Sequence, residues 1–394
     1  MNCATSALSP SRSLALAAQS AVWRTDRAHL ANPTGRSPAK NARCSSDSGS
    51  ARWGAECRAA HVLSVLVVTN MYPDAENPDF GTFVQEQVEG LRTRGVDVDV
   101  LIVGGKRRKL SYLGGLHRFR RRMHERQYDV IHAHYVFSGM IARLQRSTPL
   151  LVSFHGEPAR VVGLLSKWLA PFVDAVTVTS QAHKAQIGRQ DAYIVPCGVD
   201  LHLFAPMPRE EARQRLRLAQ DKRLALFAGL VRPEKRVDLI QAAVGLVHLE
   251  DEQVELVIAT RQPHDMMPLY MNACDVMVLA SDYEGSPVVI KEAMACNLPI
   301  VSTDVGDVAQ VIAGTEGCFI CQQHAEDMAQ KIKLALARGQ RTDGRRAVQS
   351  LSSDQTVDSV LHIYEKLSGL SEESHPAQNA GREVSPSHRR GSAG

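Results

Sequence analysis

Short runs of β-branched apolar residues recur along this chain, each followed by a helical or loop stretch, and that rhythm limits its fold more than any other feature. VLSVLVVT (62–69) is such a run; FVQEQVEGLRTRG (83–95), a helical pattern closed by Gly95, separates it from VDVDVLIV (96–103). Strands joined through a helix in this way lie parallel. DVIHAH, LLVSF, AVTVTS and AYIV continue the series until a Pro-containing seam, FAPMPREEA (204–212). The rhythm then restarts with RLALFAGL, VELVIAT, DVMVLAS, PIVSTD and GCFIC. Two such series read as an α/β chain of two doubly wound, Rossmann-like domains, 62–205 and 206–370, facing a cleft. A last helical stretch, 355–368, puts Val357, Val360, Leu361, Tyr364 and Leu367 on one side, so it packs against something.

Length agrees: 394 residues at ~100–200 per domain give two domains with room for tails. Residues 1–61 are rich in Ala, Ser and Arg without a sustained period and read as a disordered leader, as does the tail at 371–394. LALAA at 14–18 falls short of the ~7–15 apolar residues of an export signal, which leaves a transit peptide or an early start codon as other readings of the leader. No apolar run approaches the ~20 residues of a spanning helix. The net charge of +4 resides in the leader, and 61–370 holds 35 basic against 36 acidic residues, so no overall field invites nucleic acid. Cys197, Cys274, Cys296, Cys318 and Cys321 are scattered, as thiols are in a reduced, cytoplasmic protein. Cys318-x-x-Cys321 lies in a strand-like run rather than at a helix start, which argues for core over redox pair.

The chemistry concentrates in SDYEGSPVVIKEAMACNLPIVSTDVGDV (281–308). Ser286 stands at an N-cap position with Pro287 at N1, so a helix is expected to begin there. Gly285 lets backbone approach a ligand, and the exposed N–H groups of the helix start suit an anion. Glu284 precedes this helix and Glu292 lies on its second turn, with seven residues between them. Carboxylates beside an anion site make sense if they hold hydroxyls, and sugar or ribose hydroxyls are the obvious partners.

With these residues the chain resembles glycosyltransferase family 4, the retaining group 1 enzymes of GT-B fold. Glu284 and Glu292 match the family's E-x7-E signature, and NMYPDAENPDFGTFVQEQVEGL, DVIHAHYVFSG, SFHG, VPCGVD and FAGLVRPEKRVDLI follow its other blocks in order, over roughly 62–368. Within the family it looks like the branch that builds bacterial envelope polysaccharides, such as teichuronic-acid-type glycosyltransferases. The resemblance implies that Glu292 grips the ribose of a nucleotide-sugar donor and Glu284 the donor sugar. The backbone of Gly285, Ser286, Pro287 and Val288, on to Val289, would hold the diphosphate. Lys235 would neutralise the leaving phosphate, where negative charge develops. His155 and Gly81 would face them from the first domain, His155 orienting or polarising the donor. No metal or other cofactor is implied, since the nucleotide-sugar is a co-substrate; no protein nucleophile is implied either, the substitution taking place on one face. Three departures stand out. Leu230 occupies the family's phosphate-binding arginine position, leaving Arg232 as the candidate replacement. Glu157-Pro158 follow SFHG where the family has Ser/Thr-Asp. Residues 260–274 are too few for the usual extra strand and helix, which trims the nucleotide-base pocket.

Plainer readings stand beside these. Glu284 and Glu292 also fit solvated charges, Lys235 an exposed helix-start lysine and His155 a strand cap. His132 and His134 share a strand face, but with His155 they lack a recognisable zinc spacing. KRRKLSYLGGLHRFRRRMHER (106–126) carries nine Lys+Arg against Glu125, with Leu110, Tyr112, Leu113, Leu116 and Phe119 interleaved. It reads either as a peripheral contact with the anionic inner face of a membrane or as a solvated helix face; no stacking platform marks it for nucleic acid. The expectation is retaining transfer to a glycan or lipid-linked acceptor in envelope polysaccharide biosynthesis. The alternatives are another GT-B activity, such as a phosphorylase or epimerase, and a catalytically inactive nucleotide-sugar- or glycan-binding relative.

Overall fold

A computed structural model of the chain describes residues 61–74, 80–104, 111–156 and 160–370. The expected leader up to residue 60, the tail at 371–394, the bases at 106–109 with Leu110, and Glu157-Pro158 lie outside the described residues, as do the side chains of Tyr112 and Leu113.

Both strand series form parallel sheets. The first runs β1 (Ser64–Thr69), α1 (Thr82–Thr93), β2 (Asp97–Ile102), α2 (Ser111–Glu125), β3 (Val130–His134), α3 (Val136–Ala142), β4 (Leu150–Ser153), α4 (Arg160–Leu169), β5 (Ala175–Val178), α5 (Gln181–Ile187) and β6 (Tyr193–Ile194). Its strand order is β2-β1-β3-β4-β5-β6. The second begins with α6 (Arg209–Leu216), β7 (Arg223–Ala228), α7 (Val237–Glu250), β8 (Val254–Ala259), α8 (Met267–Ala273) and β9 (Val276–Leu279). It continues with α9 (Val288–Ala295), β10 (Ile300–Thr303), α10 (Val308–Val311), β11 (Phe319–Cys321), α11 (Ala325–Arg338), α12 (Gly344–Ala347) and α13 (Ser353–Ser368). Here the order is β11-β10-β9-β7-β8, again parallel throughout. The reversal of direction beside β1 and beside β7 makes each a doubly wound sheet, with its ligand crevice beyond the carboxyl ends of the strands.

Each sheet is covered on both faces. Phe119, Val136, Ile141 and Leu169 close one side of the first sheet, and Val84, Val88 and Leu91 of α1 close the other. The last helix crosses back to join α1: Val357, Val360, Ile363 and Tyr364 are buried against β1 and α1. Ser352 caps it by accepting from the Gln355 N–H at 3.3 Å. At ~1.5–3 kcal/mol per buried apolar side chain, this helix is a substantial part of the first lobe's core. Tyr364 also settles His132, which lies fully buried on a central strand. His132 Nδ1 meets the Tyr364 hydroxyl at 2.6 Å and Nε2 meets Ser153 Oγ at 2.6 Å, and Ser153 continues to Thr177. A polar ring inside a sheet is tolerable because both nitrogens are satisfied. Near the seam, buried Arg213 donates to the carbonyls of Ala273, Gln220 and Lys222 and to Asp275, which fastens α6 to the second lobe.

The described part of the basic stretch forms a helix, and the apolar residues in it whose side chains are described turn inward. Phe119 is buried and Leu116 packs on the first core. Arg122 and Arg126 pair with Asp99, Arg126 also with Asp97, and Arg121 with Glu125. Cys318 and Cys321 are free thiols, and Cys321 lies on a strand. Among the described residues no helix is long and apolar enough to cross a membrane.

Candidate active site

The loops after the strands meet in one cleft, and every residue singled out for the site reaches it. Gly81, His155, Arg232, Lys235, Glu284, Gly285, Ser286, Pro287, Val288 and Glu292 line a single cavity of about 340 Å³. Leu230, Arg261 and His264 line it as well.

The first-lobe wall is built from neutral rings, His155 half-buried at the cleft and His134 buried behind it. Gly81 sets the loop before α1: its φ is 80°, and a Cβ there would lie 2.7–2.9 Å from the backbone of Met71 and Tyr72. His155 follows β4 and is wedged between Phe83, at a ring-centroid distance of 4.8 Å, and Tyr135, at 5.2 Å. It lies against His134, the ring centroids 5.2 Å apart and the planes nearly parallel, with His155 Nε2 at 2.9 Å from His134 Nδ1. Burial first, and then His132 beside His134 and both His134 and His183 beside His155, hold the two imidazoles well below the ordinary histidine pKa. Two neutral rings sharing one hydrogen bond fix each other's tautomer, which orients His155 toward the cleft. His134 Nε2 is buried without a hydrogen-bond partner.

The second-lobe wall is built from charges. Lys235 ends a short 3-10 turn after β7 and donates to Glu284 Oε1, which also accepts from Ser281 Oγ at 2.7 Å. Gly285 then passes against the first lobe so closely that a Cβ would overlap the His155 carbonyl oxygen, and Gly156 sits on the other side of the same contact. Only two glycines let these backbones touch.

The helix start differs from expectation. Helix α9 begins at Val288 with Pro287 at the cap, and Ser286 does not cap it. Instead Ser286 Oγ donates to Asp307 Oδ2 at 2.6 Å and accepts from Lys291. Lys291 is fully buried and also donates to the Cys197 carbonyl at 2.9 Å. A buried ammonium needs every acceptor in reach, so it takes the hydroxyl that the helix would otherwise use. The effect is to tie the loop carrying Gly285 to the segment joining the two lobes.

Glu292 is nearly buried and accepts from His264 Nε2 at 2.9 Å, while His264 Nδ1 lies 3.3 Å from Glu86 of α1 in the first lobe. Burial opposes a charge on His264, but Glu292, Glu86 and Asp200 override it and raise its pKa. Glu86 is pushed up to about 7, chiefly by burial and, against His264, by Glu292 and Asp200. Neither His264 nor Glu86 stands out in the sequence; the one signal was the shortened 260–274 segment, which brings His264 to the cavity. Arg261, in the same segment, holds a left-handed φ of 55° and faces the cavity beside Leu230. Arg232 approaches Glu234 at 3.8 Å. Among the described residues no cluster of His, Cys, Asp and Glu is arranged to hold a metal ion.

Comparison with known proteins gives the geometry its context. A family model described as Glycosyltransferase Family 4 matches residues 80–203, and one described as Glycosyl transferases group 1 matches 261–338. A D-inositol 3-phosphate glycosyltransferase of Geodermatophilus obscurus is 29% identical over 297 residues, 60% of this chain and 66% of the relative. This chain thus spans just under two thirds of that relative's length. The putative teichuronic acid biosynthesis glycosyltransferase TuaC of Bacillus subtilis is 23% identical over 343 residues, covering 68% of this chain and 88% of the relative. Among solved structures, a sucrose-phosphate synthase from Thermosynechococcus elongatus superposes with a TM-score of 0.66 at 20% identity, over 78% of this chain and 100% of that one. Anabaena HepE, solved with UDP, does so with a TM-score of 0.59 at 18% identity, over 77% and 100%. At these identities the structural likeness is one of fold.

Proposed function

The chain belongs to glycosyltransferase family 4, the group 1 glycosyl transferases with the GT-B fold, and from that premise we propose that it moves a sugar from a nucleotide-sugar to a glycan or lipid-linked acceptor with retention at the anomeric carbon. The observation that carries the reading is the convergence of Lys235, Glu284, Glu292 and the start of α9 on one cavity, opposite His155.

In this reading Glu292 holds the ribose hydroxyls and Glu284 those of the donor sugar. The backbone from Gly285 to Val289 and the Lys235 ammonium receive the diphosphate. The bond from the anomeric carbon to the phosphate oxygen breaks, and negative charge grows where Lys235 and the helix start wait for it. The acceptor hydroxyl attacks on the face the diphosphate leaves, and its proton passes to the departing phosphate oxygen. His155, neutral and held by His134, orients the sugar rather than attacking it. The touching lobes at Gly156 and Gly285 exclude water from the reacting carbon.

The teichuronic-acid relative supports an acceptor in envelope polysaccharide synthesis; in this reading the chain works on the cytoplasmic side of the membrane and touches it peripherally through the basic stretch 106–126. The UDP-bound neighbour makes UDP-sugars the first donors to try. One observation favours a second reading: Leu230 stands on the cavity where the family carries an arginine, as it would in a relative that binds donor without turning it over. A thermal-shift panel of UDP-, GDP-, ADP- and dTDP-sugars, followed by NMR of the product's anomeric configuration, separates these readings. One donor should stabilise the chain, the shift should vanish in Glu292→Ala, and the product should keep the donor's configuration. Inversion would overturn the mechanism, and binding without consumption under any acceptor would favour the second reading.

A further inference from the structure

The first lobe is electrically two-sided. On one face of its sheet lie α1 and α13, which carry Glu86, Glu89, Asp354, Asp358 and Glu365 against Arg92 and Lys366. On the other lie α2, α3, α4 and α5, whose described side chains include Arg118, Arg120, Arg121, Arg122, Lys167 and Lys184, with Glu125 as the acid on these helices. Folding has sorted the charges of a stretch, 62–205, that carries 17 basic against 13 acidic residues.

The basic face also holds the first lobe's most exposed apolar cluster. Helix α4 buries Leu169 on the core and packs Val162 and Leu165 against it. Its outer side repeats the apolar pattern at i, i+4 and i+8: Leu164 is 65% exposed, Trp168 56% and Phe172, in the turn that follows, 53%. The rings of Trp168 and Phe172 lie 5.4 Å apart. Leu144, 60% exposed, follows α3, which packs directly on α4 and on α2. A helix apolar on both sides is covered on both in a water-soluble lobe, so this outer side is built to meet something. What it meets is set by its neighbours: Lys167 lies between Leu164 and Trp168, Arg146 is exposed beside Leu144, and α2 adds Arg118, Arg120 and Arg121.

We infer that Leu164, Trp168 and Phe172 form the insertion edge of a membrane-docking face that seats the first lobe on an anionic lipid bilayer. Tryptophan and phenylalanine settle at the boundary between headgroups and acyl chains, while lysine and arginine stems keep their charges at the lipid phosphates. The inference deepens the membrane contact proposed through 106–126: the bases of α2 supply attraction, but its described apolar residues face the core, so insertion falls to α4. It does not rest on the donor-side reading, because docking needs no turnover.

The test uses the full chain in flotation with phosphatidylcholine vesicles, with and without phosphatidylglycerol, and with no donor present. Anionic vesicles should carry the protein up and neutral ones should not. Leu164→Ser/Trp168→Ser/Phe172→Ser should lower the bound fraction about tenfold or more, as should Arg146→Glu/Lys167→Glu. In a Trp23→Phe/Trp53→Phe chain, Trp168 is the sole tryptophan, and its emission should shift blue and be quenched by brominated anionic lipid. Unchanged Trp168 emission, or flotation untouched by either variant, would overturn the inference. So would a dimer, seen by sedimentation without lipid, that the triple variant dissolves, since a second copy would then own the surface. Nucleoside-diphosphate release by the triple variant, measured in parallel without lipid, reports separately on the donor reading.

Discussion

The two walls of the cleft solve the problem of polar groups in a confined space in opposite ways. The first-lobe wall uses rings kept neutral: His134 and His155 lie nearly parallel and share a hydrogen bond, and His132 beneath them is held by Tyr364 and Ser153. The second-lobe wall uses charges kept in pairs, Lys235 with Glu284, Glu292 with His264, and Lys291 with Ser286 and Asp307. The neutral wall offers shape and orientation without repelling an anion. In the proposed reading the charged wall holds a cation in readiness, its partner carboxylate free to exchange it for sugar hydroxyls. Chemistry that expels a diphosphate needs the charge on one side and dryness on the other.

The largest effect should come from removing Lys235, the charge that in the proposed reading faces the leaving group. Lys235→Ala should lower kcat about 10²–10³-fold while leaving donor binding within a few-fold, as steady-state kinetics with separate binding titrations will show. Next in size is Gly285→Ala, which forces a methyl group onto the His155 carbonyl and pries the walls apart. Its kcat/KM should fall about a hundredfold with the circular dichroism spectrum unchanged.

A gentler probe is pH, because the two walls answer it with opposite signs. His132, pushed down to about 3, and His134 and His155, depressed by burial, bind fewer protons folded than unfolded. Their contribution is whole above the ordinary value of 6.5 and is lost as pH falls below it, at up to ~1.4 kcal/mol per pH unit for each. His264, raised, contributes fully below 6.5 and loses that contribution as pH rises through its folded value. Glu86, raised from 4.5 to about 7, likewise costs stability as pH climbs through that interval. The melting temperature should therefore decline toward acid on account of the first wall and toward alkali on account of the Glu86–His264–Glu292 contact. Glu86→Gln should remove the loss that falls between pH 4.5 and about 7 and so steepen the net decline toward acid over that interval; an unchanged profile there would exclude Glu86 as its source. The smallest effect concerns Leu230. Arg261→Ala and Arg232→Ala should each raise the donor KM, by about two- to tenfold, if they share the absent arginine's work. An Arg232→Ala enzyme with unchanged affinity and turnover would leave the task to Arg261.

What could be read from the sequence was what local pattern encodes. The strand series gave both sheets, because a β-branched run between helical stretches has one stable outcome. The E-x7-E spacing put Glu284 and Glu292 on the same cavity because a short loop and about one helical turn separate them. The failures share a cause in tertiary partners. Ser286 looks like a cap until buried Lys291 and Asp307 claim its hydroxyl. Leu116 and Phe119 look free to meet lipid until β2 and the core take α2's inner side. His264 is silent in the sequence because Glu86, its partner, belongs to the other lobe. The final helix announced an apolar face, but only the fold shows that the face completes the first lobe.

The central claim is that the charged wall turns donor over and does not merely bind it. The most direct measurement is the initial rate of nucleoside-diphosphate release from whichever sugar nucleotide stabilises the protein, for the wild type beside Lys235→Ala. The wild type should release the diphosphate, and the variant should still bind the donor but release at least about a hundredfold more slowly. Equal rates from the two, or tight binding with no release from either across a panel of glycan and lipid-linked acceptors, would contradict it.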